Sequence, residues 1–120
     1  MPITLPPPEI ANVELGAQGH KQIQWALNDM PVLARIRQRF EKEKPLKGVR
    51  ISSCGHMTKE LAALAITIQA GGAESMVIAS NPITTQDDVA ASLVQDYGLP
   101  IYAMRGESVE TYRRHVKLAV

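Results

Sequence analysis

A single cysteine, Cys54, stands among the 120 residues. No internal disulfide and no cysteine-based zinc site can form, and a reducing compartment fits; the expected location is cytoplasmic. Aromatic residues are equally scarce. Trp25, Phe40, Tyr97, Tyr102 and Tyr112 make up 4% of the chain, too few for a base-stacking platform. Neither sign of charge dominates: 13 Lys and Arg stand against 12 Asp and Glu, for a net charge of +1. That balance offers no basic field to hold nucleic acid. No apolar run approaches the roughly 18 residues needed to span a membrane. The opening MPITLPPPEIA has neither a basic segment nor an apolar core, so it does not read as a secretory signal. Glycine-rich phosphate cradles are missing as well, since neither Gly-x-Gly-x-x-Gly nor a Walker pattern occurs.

What is present reads as one ordinary domain, 45% hydrophobic and 21% charged, large enough to bury roughly 65% of its unfolded surface. Residues 1–13, with Pro6, Pro7 and Pro8, form an extended, semi-rigid tail. Residues 14–120 carry the fold. Apolar positions Ile23, Trp25, Ala26 and Leu27 predict a helix from about Leu15 to Asn28. After a break at Asp29, Met30 and Pro31 a second helix runs to about Lys42, with Asn28 or Asp29 as its cap. Val32, Leu33, Ile36 and Phe40 share one of its faces and the arginines lie mostly on the other.

Beyond the turn at Pro45 and Gly48 the pattern becomes strand, helix, strand, helix, strand, helix. The strands are Val49–Ser53, Ser75–Ser80 and Pro100–Ala103. The first intervening helix, about Thr58 to Ala70, buries Leu61, Leu64, Ala65 and Ile68 and ends at Gly71 and Gly72. The next is capped by Thr84 or Thr85 and closes at Gly98; the last is capped by Ser108. That order predicts an α/β fold: a parallel sheet with flanking helices, a partial Rossmann-like substrate domain preceded by two N-terminal helices.

In such sheets ligands bind at the carboxyl edge, where VRISSCGHMTKE (residues 49–60) delivers His56, Thr58 and Glu60 together. A histidine there suits acid/base work, or merely a loop hydrogen bond. His56 and Glu60 could start a metal site, but no third ligand is evident, so no metal is expected. Thr58 reads first as a helix cap. Cys54 reads as a buried, inert thiol. Asn81, Thr84, Thr85 and Gln86 form a polar loop that would flank His56 if the first two strands are neighbours. His20 and His115 lie on polar helix faces and are expected at the surface. These residues alone specify neither substrate nor reaction.

The wording adds more. KPLKGVRISSCGHMTKE, SNPITTQDDVAASL and GLPIYAMRGES, in that order, resemble the N-terminal part of the S-adenosyl-L-homocysteine hydrolase family, bacterial or archaeal in flavour. ALNDMPVLARIRQRFEKEKPLKG is similar to the same family's first two helices. The resemblance covers about residues 9 to 119. It implies reversible hydrolysis of S-adenosylhomocysteine to adenosine and homocysteine by NAD-dependent 3′-oxidation, elimination, water addition and re-reduction. It further implies that His56 is the acid/base at the 5′ position, that Thr58 and Glu60 contact the adenine, and that Gln86 and Asn81 line the pocket less directly.

Gly55 departs from the leucine that the family often carries before the histidine. The family's Asp-Asp-Gly-Gly-Asp segment, ribose-acting residues and NAD domain would follow Val120. By this resemblance the chain is the smaller part of an enzyme, with no NAD site of its own and no expected turnover alone, and the full-length protein would be a homo-oligomer. Uncovered strand edges would favour self-association. The alternative is a non-catalytic nucleoside-binding or assembly module.

Overall fold

The computed structural model describes residues 4–120. Three parallel strands form its sheet in the order β1-β2-β3: β1 (Arg50–Gly55), β2 (Glu74–Ala79) and β3 (Ile101–Tyr102). Two helices precede them, α1 (Gly16–Asn28) and α2 (Pro31–Glu43). Three follow the strands in turn: α3 (Lys59–Ala70), α4 (Asp87–Tyr97) and α5 (Val109–Ala119). The expected α/β architecture is therefore present, with two helices ahead of the first strand.

β2 explains how the layers are held. Met76, Val77, Ile78 and Ala79 are all buried, as a strand covered on both faces requires. Val77 and Ala79 join the core built with α1, α3 and α4, while Met76 and Ile78 face Tyr102, Val116 and Leu118. α1 and α2 pack on α3 and α4. One contact there admits only glycine: a Cβ on Gly19 would lie 1.7 Å from the Asp88 carbonyl oxygen. Gly98 takes the left-handed conformation, φ 64°, and closes α4 as expected. After α3 it is Gly72 that turns left-handed, φ 92°, not Gly71.

Several local expectations are corrected. Neither Asn28 nor Asp29 caps α2; Met30 stands at that end without a side-chain bond, and Pro31 begins the helix with its preset φ. Thr84 and Thr85 do not cap α4, which starts after Gln86, because the Thr84 hydroxyl is engaged elsewhere. Leu64 and Val32 are exposed, 45% and 70%; α3 buries Ala65 as expected and, beside it, Ala62, Ala63 and Ile66, the alanines letting it lie close to its neighbours. Cys54 is exposed rather than buried, since β1 is an outer strand with an open face.

The largest correction concerns His115. It is fully buried, not a surface residue. Its Nε2 lies 3.0 Å from Glu9 Oε2 and its Nδ1 3.0 Å from Glu107 Oε2. The Glu107 side chain is itself 0% exposed. Its carboxylate is close enough for an ion pair yet out of line for a hydrogen bond. Burial pushes the Glu107 carboxyl above its ordinary value, and the positive pull of His115 opposes that. Glu9 behaves oppositely: the hydrogen bond from His115 holds its carboxyl low, burial opposes, and Arg114 assists.

This cluster explains the tail, of which residues 1–3 lie outside the described residues. The part around Pro6 and Glu9 is docked, while Val13 already belongs to a single 3-10 turn, Val13–Leu15, rather than to extended chain. Glu9 bridges Tyr102 in parallel, its N–H donates to the Ile101 carbonyl at 3.0 Å, and its own carbonyl accepts from Ala103 at 3.0 Å. The Tyr102 hydroxyl donates to the Pro6 carbonyl at 2.6 Å. A polar pattern in α5 could not reveal that a tail carboxylate, far away in sequence, closes over His115. Among the described residues no helix is long and apolar enough to cross a membrane.

Two outcomes follow. Replacing His115 with Ala leaves the Glu107 carboxylate buried beside a void and should cost about 3 kcal/mol in urea denaturation. Acid should release the tail. Because folding lowers the Glu9 pKa from 4.5, its contribution is full above that value and is lost as pH falls through the lower folded one. Protection of the Glu9 and Ala103 amides, measured relative to the slower intrinsic exchange at lower pH, should therefore be lost on acidification before that of the core amides; simultaneous loss would contradict a separate tail latch.

Candidate functional site

The register of the two longer strands builds the site. Gly55 pairs with Ala79, and the Ser80 N–H donates to the Gly55 carbonyl at 2.9 Å. Residues immediately beyond the two strand ends therefore leave the sheet side by side. His56 leaves β1 and Asn81 leaves β2. Two backbone ties hold the turns: Thr58 N–H to the His56 carbonyl at 2.7 Å, and Gln86 N–H to the Met57 carbonyl at 2.9 Å. Met57, between the candidate side chains, is fully buried and anchors the turn.

The His56 imidazole is exposed. Its Nδ1 lies 2.8 Å from Thr84 Oγ1 and 3.3 Å from Asn81 Nδ2. The Asn81 carbonyl oxygen Oδ1 accepts from the Ile83 N–H at 2.9 Å, the Thr84 N–H at 3.0 Å and the Thr84 hydroxyl at 3.1 Å. This is an Asx-turn closed around its own loop. It fixes the amide with oxygen toward the backbone and nitrogen toward the histidine.

Thr58 caps α3, its hydroxyl oxygen accepting from the Leu61 N–H at 3.5 Å, a long contact. The Glu60 carboxyl is held below its ordinary value, chiefly by its own backbone N–H, with the Thr58 hydroxyl and Lys59 assisting against burial. Lys59 Nζ stands 3.4 Å from Glu60 Oε1 and 5.2 Å from the Trp25 ring centroid. Trp25 was expected among the apolar residues of its helix, yet it is 61% exposed; its ring faces a lysine instead of the core.

Asn81 and His56 are thus brought together. Thr58 and Glu60 are joined to each other at the start of α3. Gln86 meets the group through its backbone only. Sequence reasoning placed Thr84 in a loop that flanks His56 if the first two strands are neighbours, as they are, but gave its hydroxyl a capping role rather than the contact with His56. Gly55 has the Leu61 methyls beside it, 3.2 and 3.3 Å from where a Cβ would sit. The carboxyl edge is open, whereas a groove of about 610 Å³ lies at the other end of the sheet, lined by Leu5, Ile51, Met76 and Leu118 among others. Among the described residues the charged side chains lining the groove are the Arg50 and Glu74 pair at its rim, whereas the carboxyl edge carries an imidazole. Among the described residues no three His, Cys, Asp or Glu side chains converge as metal ligands.

The parallel three-stranded sheet, with a histidine, an Asx-turn and a capped helix start at its carboxyl edge, defines an α/β domain. The family is defined by comparison. The model of S-adenosyl-L-homocysteine hydrolase matches residues 8–120, and the chain belongs to that family. It is 54% identical to the adenosylhomocysteinase of Gloeobacter violaceus over 93% of its length, covering 26% of that protein. The corresponding enzyme name from Aquifex aeolicus goes with 51% identity, 93% of this chain and 27% of the relative. For Pyrobaculum aerophilum the figures are 47%, 97% and 26%. The chain therefore spans about a quarter of the length of the curated relatives it matches.

Thr58→Ala should cost about 0.5–1 kcal/mol, the low end for a lost N-cap given the long contact. His56→Ala should stay within about 0.5 kcal/mol, as for an exposed side chain. Paired urea titrations check both; a loss above about 1 kcal/mol for His56→Ala would make that residue structural.

Proposed function

We propose that this chain is the N-terminal part of the substrate-binding domain of an S-adenosylhomocysteine hydrolase, and that its carboxyl edge receives the nucleoside. The observation that carries the reading is the meeting of His56 with the Asn81 loop across the β1–β2 register. An exposed imidazole with one nitrogen held by the protein and the other open is suited to proton transfer with a bound molecule. In this reading His56 serves the 5′ carbon, where the thiol of homocysteine leaves and water arrives.

Thr58 and Glu60 receive the adenine. An ionised carboxylate accepts from an exocyclic amine, and Glu60 is kept ionised by its own amide, Thr58 and Lys59. Base binding exchanges the Lys59 contact for the amine. Asn81 and Gln86 line the pocket, Gln86 from a backbone already tied to Met57. Leu61 supplies the apolar contact that a leucine at position 55 would make.

The cofactor of this chemistry, NAD, oxidises the ribose 3′-hydroxyl so that the neighbouring proton becomes acidic. It does not fit the residues here. The turns after the strands, CGHMTKE, SNPITTQ and AMRGES, hold no glycine-rich phosphate cradle. NAD belongs to the rest of the full-length enzyme, which acts as a cytoplasmic homo-oligomer in the methyl cycle.

The test is titration of the 120-residue chain with adenosine, followed by amide shifts and calorimetry. The expected result is weak, saturable binding that moves the His56, Thr58 and Glu60 amides, with no homocysteine released from S-adenosylhomocysteine. Shifts confined to the far groove, or no saturable binding, would overturn the site. Submicromolar affinity would show that the ribose partners outside this chain matter less than proposed, and turnover would refute the assignment of NAD elsewhere.

A further inference from the structure

The hydrogen bonds around His56 count its protons. Asn81 Oδ1 is oriented by two backbone N–H groups, so the nitrogen of that amide, a donor only, faces the ring. Two arrangements are then available. In the first, Nδ1–H donates to Thr84 Oγ1 at 2.8 Å and the Thr84 hydroxyl donates to Asn81 Oδ1 at 3.1 Å. Each short contact has one donor and one acceptor. In the second, Nδ1 carries a lone pair. Thr84, at 2.8 Å, and Asn81 Nδ2, at 3.3 Å, would both donate into that one lone pair, and the 3.1 Å contact between Thr84 and Asn81 would have no hydrogen. The first satisfies the two shorter contacts and leaves only the longest without a bond.

We propose that Thr84 is a positioning residue that holds neutral His56 as its Nδ1–H tautomer, with the Nε2 lone pair turned toward whatever occupies the site. Nε2 has no partner among the described residues. Which ring nitrogen carries the proton is set by the hydrogen bonds that the groups around the ring make, and here Thr84 supplies that bond at Nδ1.

The arrangement matters for the reaction, a consequence that rests on the function proposed above. Leaving and adding at the 5′ carbon require a proton to go to sulfur and another to be taken from water. With Nδ1–H fixed on Thr84, both transfers use Nε2. The imidazolium gives its Nε2 proton to the departing sulfur as the carbon–sulfur bond breaks, which leaves the neutral Nδ1–H ring. The Nε2 lone pair then takes a proton from water as oxygen bonds to the same carbon, and the imidazolium is restored. Thr84 accepts from Nδ1–H in both the neutral and the charged ring, so nothing around the histidine must turn between the steps. The opposite tautomer would force the Thr84 hydroxyl to flip each time the ring gained a proton.

The measurement is a long-range proton–nitrogen correlation on the ligand-free chain at alkaline pH, where imidazoles are neutral. A His56→Gln variant identifies the His56 signals among those of the three histidines. Expected are a pyrrole-type Nδ1 and a pyridine-type Nε2 for His56. Thr84→Val should swap the pattern toward Nε2–H, and Thr84→Ser should restore it. An Nε2–H pattern in the unaltered chain overturns the proposal, even if Thr84→Val proves unstable; so does a Thr84→Val spectrum identical to that of the unaltered chain. The tautomer is read without ligand, so this result and the adenosine titration fail separately.

Discussion

The parallel register that sets Gly55 beside Ala79 is the constraint on which the candidate site depends. His56 and Asn81 are distant in sequence, and nothing local draws them together. Backbone pairing along β1 and β2 does. A slip by one residue would turn β2 so that Met76 and Ile78 exchanged faces with Val77 and Ala79. Both faces of that strand are buried by different partners, the α3 and α4 side and the α5 side. The packing that forbids the slip is thus the same packing that brings the imidazole within 2.8 Å of Thr84. Core and site are one arrangement seen at two places.

A second arrangement, independent of the first, ties the ends of the chain together. The described part of the tail pairs with β3, and Glu9 reaches His115 and Arg114 on α5. Charged groups in an interior are costly unless each has a partner. Here Glu107 faces a misaligned histidine, with the Arg114 charge assisting, and its carboxyl is driven upward by burial. Such a cluster contributes little net stability. It does hold the tail in place, because Glu9 meets both His115 and Arg114 on α5. The polar cluster thus stands opposite the apolar core in kind as well as in place.

The carboxyl edge itself is sparse. An Asx-turn, a capped helix start and a lysine over Trp25 fix the orientation of His56 and Glu60 without enclosing them. Openness suits a surface that receives a ligand from one side. The chain belongs to the S-adenosyl-L-homocysteine hydrolase family and spans about a quarter of the length of the relatives it matches.

The amino-acid sequence by itself determined the strand and helix order, the parallel class of sheet and the polar character of the turns after β1 and β2. Those depend on local periodicity and on capping chemistry at Thr58, Ser108 and Gly98, all within a few residues of one another. It also carried the family, through long ordered motifs. Only the tertiary structure decided that Trp25 and Leu64 face outward, that Cys54 is exposed and that His115 is buried between two carboxylates. It decided too that Thr84 serves His56 rather than a helix end. The reason is physical: periodicity reports which face of an element differs from the other, but not which partner covers it. A histidine on a polar helix face can meet water or a carboxylate brought from the far end of the chain, and only packing chooses between them.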